Sequence, residues 1–223
     1  MNISFKLMKN WHLILLFIFC IEFTILASPT DSISTVYLDG EFITYCQVLA
    51  NASDSISNSV VNDFDYQMRY NLDGLFGWAL KGLNLRKEKD DLIIFYFKTT
   101  SYNKNTKIIR GIGDVIIPNI ITFPDIIVDS KLSKKRYKNG KSEVNIDLLY
   151  SNGFMKKMFG TFTVIPKKEN GTLYIFENKV RFGWFFDIFI TQKRFKTIME
   201  WRLKRFVHNL KDEAERREKL IKK

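Results

Sequence analysis

Apolar and polar positions change their period twice along the chain. From Thr35 to Leu49 the residues favour extended structure (Val36, Tyr37, Phe42, Ile43, Thr44, Tyr45, Val48), with Asp39-Gly40 as a turn signal inside the run. Asn51-Ala52-Ser53-Asp54 then supplies helix-capping residues, and Ile56, Val60, Val61 and Phe64 follow at helical spacing. Between Tyr66 and Leu83 the glycines Gly74, Gly77 and Gly82 weaken any long helix.

From Asp90 onward the period is that of a sheet. Leu92 to Phe97 predicts a buried strand, and Lys107 to Ile117, Ile120 to Val128 and Ser142 to Tyr150 predict three more between Asn, Lys and Gly turns. Val144, Ile146, Leu148 and Tyr150 share one face of the last of these. Met158 to Pro166 continues the meander, and Asn170-Gly171 is the strongest hairpin signal in the chain. Along Leu173 to Phe186 the even positions Tyr174, Phe176, Val180, Phe182, Trp184 and Phe186 form an apolar, mostly aromatic face, opposite Glu177, Lys179 and Arg181. A cover follows: Phe195, Ile198, Met199, Leu203, Phe206, Val207, Leu210 and Ala214 recur at three- and four-residue steps, the stripe of a long amphipathic helix.

The first residues have a different composition. Lys6 and Lys9 precede an almost wholly apolar stretch from Trp11 to Leu26, and Ala27 offers a small residue for cleavage. This predicts a secretory signal peptide over residues 1–27 and a secreted or periplasmic protein; the competing reading is an uncleaved anchor, which Glu22 interrupts. With 46% hydrophobic and 15% aromatic residues in 223, the remainder can build a real core. No repeat or linker divides it, so one domain is expected over residues 35–215, between a flexible segment (28–34) and a basic tail (216–223). Loss of Cys20 and His12 leaves Cys46 and His208, too little for an internal disulfide or a zinc site, and no metal or cofactor is expected. Cys46 reads as a small buried hydrophobe.

Removal of residues 1–27 lowers the formal charge of +11 by one. The basic residues are scattered, so a nucleic-acid partner is not expected. The run containing Lys134, Lys135 and Arg136 is a candidate contact for an anionic membrane surface, or a solvated loop. Enzyme constellations are missing from the motif pattern. His208 falls on the polar side of the last helix, Gly111-Ile112-Gly113-Asp114 reads as a turn or bulge, and Asp65, Asp114 and Asp147 are too scattered to name as a catalytic set. Asn51-Ala52-Ser53 and Asn170-Gly171-Thr172 are sequons that matter only on a eukaryotic export route.

Strand, short helices, antiparallel meander and long closing helix follow one another in the order of the START-like (SRPBCC) helix-grip superfamily, which includes polyketide cyclases and plant pathogenesis-related allergens. Ala52 to Ile56 and Val60 to Tyr66 resemble that family's segment after its first strand, and Phe195 to Ala214 is similar to its closing helix. Tyr66 to Leu83 departs from the family's second helix. The resemblance implies an α+β fold: a curved antiparallel sheet wrapped around the C-terminal helix, with short helices after the first strand. It also implies an apolar cavity between sheet and helix for a lipid or other hydrophobic small molecule. Tyr174, Phe176, Phe182 and Trp184, with Phe195, Met199, Arg202 and Phe206 from the helix, are the candidate lining, although each aromatic can equally serve as core. Arg202, between Ile198 and Phe206 on the helical wheel, could hold an anionic head group, pair internally or snorkel to water. The expected function is non-catalytic binding. The alternatives are a cofactor-independent cyclase or hydrolase and an interaction module with a filled core.

Overall fold

Alternation along the second strand shows how the sheet is made. In β2 (Glu41–Ala50), Phe42, Thr44, Cys46, Val48 and Ala50 are buried and the residues between them are half-buried, the signature of a strand with one face on the core. Burial pushes the Cys46 thiol up to about 12, so it behaves as a hydrophobe. The segment expected as one element is a hairpin. β1 (Ser32–Leu38) pairs with β2 through a two-residue turn, Asp39 at φ 52° and Gly40 at φ 77°, the left-handed pair that matches strand twist.

The computed structural model describes residues 31–83, 94–117, 119–167 and 171–222; the expected signal peptide and Asn170 lie outside them. After β2 come α1 (Asp54–Tyr70) and α2 (Leu72–Trp78). Asn71 separates the two helices and accepts a hydrogen bond from the Gly74 N–H, which caps α2. A meander follows, β3 (Ile94–Asn103), β4 (Ile108–Ile117), β5 (Ile121–Arg136), β6 (Ser142–Ser151), β7 (Met155–Lys167) and β8 (Gly171–Phe182). The short α3 (Trp184–Asp187) and the 30-residue α4 (Gln192–Ile221) close the chain. The eight strands among the described residues form one antiparallel sheet in the order β1-β2-β8-β7-β6-β5-β4-β3. Register shifts between Phe97 and Thr99, Gly113 and Val115, Asp129 and Ser130, and Met155 and Lys157 bend it. This is the α+β helix-grip architecture, a curved antiparallel sheet holding a long C-terminal helix.

Four expectations are corrected. The described part of the run expected to be buried, Ile94–Phe97, belongs to the edge strand β3, where Tyr96 is 61% exposed, because this strand has a neighbour on one side only, and Leu92 lies outside the described residues. Lys134, Lys135 and Arg136 are on β5 rather than in a loop, since pairing with β6 continues from Leu132↔Ile146 to Arg136↔Ser142. β8 stops at Phe182, and Trp184 starts α3, 71% exposed and off the aromatic face. Residues 216–221, expected as a tail, continue α4, because Arg217 binds Glu213 and Asp63 at 2.7 and 2.8 Å. In the same stretch Glu218 accepts from the Ser53 N–H and hydroxyl at 3.0 and 2.7 Å.

Candidate ligand-binding site

The concave face of the sheet is filled over one half and hollow over the other. Against β2 and β8, α4 lays down rings: Phe195 stacks on Phe42 at 3.9 Å, and Phe206 meets Phe176 edge-on at 5.6 Å. Tyr174 is fully buried, beside Phe162 at 5.4 Å, and burial pushes its hydroxyl up to about 12. Near the middle of β4, β5 and β6 the inward positions are smaller, while Val115, Ile117, Ile126, Leu132 and Val144 toward the strand ends join the packed core. In β4 the inward series is Ile109, Gly111, Gly113, Val115 and Ile117, and Gly111 puts no side chain into the space it faces.

A cavity of about 270 Å³ occupies that space. Its floor is Ile109 and Gly111 of β4, Val128 and Ser130 of β5, Ile146 of β6, and Met155 and Met158 of β7. Met68 of α1, Thr100 of β3 and Phe154 complete it. None of these side chains ionises, and only the Thr100 and Ser130 hydroxyls are polar. Ile109, Val128 and Ile146 are only half-buried although they face the concave side. The volume falls just below the usual range for ligand pockets, about 300–1,000 Å³. The three methionines are flexible apolar surfaces that adapt to an occupant's shape.

A second depression, a groove of about 560 Å³, opens beside α3 between the β6–β7 turn and the start of β5. Phe123, Leu149, Tyr150, Lys156, Trp184 and Phe185 are among its walls. Met155 lines both spaces, and Phe154 of the cavity meets Phe186 of the groove at 5.2 Å, edge to face. Gly183 fixes this junction. Its N–H donates to the Phe154 carbonyl at 3.0 Å, and a Cβ here would fall 1.9 Å from the Gly153 carbonyl oxygen.

Of the eight residues singled out in the sequence, Trp184 lines the groove and none lines the cavity. Tyr174, Phe195 and Phe206 are buried in the ring-filled half, Phe176, Phe182 and Met199 pack against its clusters, and Arg202 is half-buried on α4. Of the cavity residues, Gly111 carried the one legible signal, a glycine at an inward strand position. His208, expected in solvent, is half-buried with its Nε2 3.3 Å from Asp31, because α4 packs on β1. Among the described residues no group of His, Cys, Asp or Glu is arranged to hold a metal, and no helix is long and apolar enough to cross a membrane.

No protein-family model matches the chain, and no curated protein matches its sequence. Among solved structures, the chain is similar to a START superfamily protein from Mycobacterium smegmatis (14% identity, 78% of this chain and 97% of that one, TM-score 0.46). It is also similar to the Zhui aromatase/cyclase from Streptomyces sp. R1128 (10% identity, 79% and 95%, TM-score 0.47). A third similarity is to truncated norcoclaurine synthase from Thalictrum flavum (13% identity, 82% and 96%, TM-score 0.42).

Proposed function

We propose that this protein is a carrier that holds one uncharged hydrophobic small molecule, or the apolar part of a lipid, between its meander and α1, without turning it over. One observation carries this reading: an apolar cavity without an ionisable lining residue, several of whose apolar walls stay only partly buried beside the core. Half-exposed apolar walls gain free energy when an apolar occupant displaces water from them. Export through residues 1–27 would place this carrier outside the cytoplasm. A cyclase or hydrolase needs an acid or base within hydrogen-bond reach of its substrate. Asp65 is paired with Arg69 at 2.9 Å and Asp114 with Lys98 at 2.6 Å, and neither lines the cavity.

Native mass spectrometry of the purified protein, followed by solvent extraction, tests the proposal. A co-purifying apolar species, or saturable binding of a neutral fluorescent probe that Gly111→Leu abolishes, is the expected result. Absence of both, or turnover of ester or polyketide-like substrates that is lost on mutation of an interior acid, would overturn it.

A further inference from the structure

The end of the molecule that carries α3 has two surface features that its own packing does not explain. The first is apolar exposure on a rigid base. Trp184 is 71% exposed, Ile188, one turn later, 66%, and Ile120, at the start of β5, 63%. α3 is nonetheless anchored, since Phe185 and Phe186 meet Phe123 edge to face at 5.3 and 5.0 Å. Trp184 also shares its groove with Leu149 and Tyr150, which are about half exposed, so these three form one surface beside Ile188.

The second feature is charge. α4 begins within ten residues of Trp184, and its first residues include Lys193, Arg194 and Lys196, all exposed, with no acid in the first turn. A helix N-terminus favours negative charge, so three cations there oppose the macrodipole. Among the described residues no acid pairs with these three or with Lys156 on the groove wall, and Asp187 is the exposed acid of α3. A local rule broken without internal compensation points to an external partner.

We infer that this face docks on an anionic lipid bilayer, with Trp184 and Ile188 entering the headgroup region and Lys156, Lys193, Arg194 and Lys196 meeting the anionic lipids. Tryptophan and tyrosine belong at the membrane–water boundary, and cations beside an apolar face suit an anionic one. A second copy of the chain is the poorer occupant, because it would bring two sets of like charges together. Docking here would also lie close to the cavity, since Met155 is a common wall of groove and cavity. The exposed cations Lys134, Lys135 and Arg136 are at the other end of β5, on the order of 40 Å away for a strand of that length, and serve as the internal control.

Co-sedimentation of the purified protein with phosphatidylcholine vesicles, with and without phosphatidylserine, tests the docking. Binding should need phosphatidylserine, fall about tenfold or more in Trp184→Ala/Ile188→Ser, and lose its salt dependence in Lys193→Glu/Lys196→Glu. Lys134→Glu/Lys135→Glu should leave it unchanged. Undiminished binding in the Trp184 double variant, loss of binding in the Lys134 pair, or a dimer in sedimentation velocity that Trp184→Ala dissolves would each overturn the proposal. Neutral-probe binding measured without vesicles reports on the cavity alone, so failure of docking and failure of the carrier reading are separate results.

Discussion

The two halves of the concave face share one backbone pattern and differ in what stands on it. Over β1, β2, β8 and β7 the inward positions carry Phe42, Tyr174, Phe176 and Phe162, and α4 adds Phe195 and Phe206, so rings meet rings and the space closes. Over β6, β5 and β4 the same alternation presents Ile146, Ser130 and Gly111, and α1 offers Met68 across a hollow. Side-chain volume at inward positions, rather than strand pairing, therefore separates a core from a pocket. The filled half gives the stability that an open half forfeits, since a void deprives its lining of contacts on one side.

Truncating a ring in the filled half should have the largest effect. Phe162→Ala removes a buried side chain in contact with Phe64, Tyr174 and Phe206, and should lower the unfolding free energy in urea by about 3–5 kcal/mol. Closing the open half should instead change binding. Gly111→Leu puts a side chain into the cavity and should reduce neutral-probe affinity about tenfold or more, while urea stability moves by about 1–3 kcal/mol at most. If it binds as well as the parent protein, the hollow is not the site. Met158→Ala, beside the void and half-buried, should cost only about 1 kcal/mol, because fewer contacts are lost there. A cost equal to that of Phe162→Ala would erase the distinction between the halves.

Arg202→Met sharpens the same comparison. Arg202 does not line the cavity, so probe titration should show acidic and neutral ligands affected alike; a selective loss of acidic ligands would bring the guanidinium back into the site. The smallest effect is expected at the far end of α4. Hydrogen bonds from the Ser53 hydroxyl and N–H hold the Glu218 carboxyl down to about 2, below its ordinary 4.5. A depressed carboxyl stabilises the fold above its unfolded value and loses that contribution as pH falls through its folded one. Glu218→Gln should therefore lower the urea midpoint at neutral pH, with the gap to the parent protein closing between about pH 4.5 and 2.

The Asp39-Gly40 turn, the helix from Asp54 and the stripe from Phe195 to Ala214 were all legible in the chain, because turn chemistry and hydrophobic period act on neighbouring residues. Period alone also determined which side of β6 and β8 faces inward. It could not tell a ring that fills space from a ring that walls it, since both occupy the same inward position. Tyr174, Phe195 and Phe206 were candidates for a lining, yet they close the core, because β2, β8 and α4 converge there. Where the hollow falls depended on Gly111, Ser130 and Ile146, brought side by side by three adjacent strands, with Met68 arriving from a helix far earlier in the chain. Sheet curvature, set by bulges, and the meeting of distant segments are properties of the folded chain as a whole, so the cavity was decided by tertiary structure and its apolar faces by sequence.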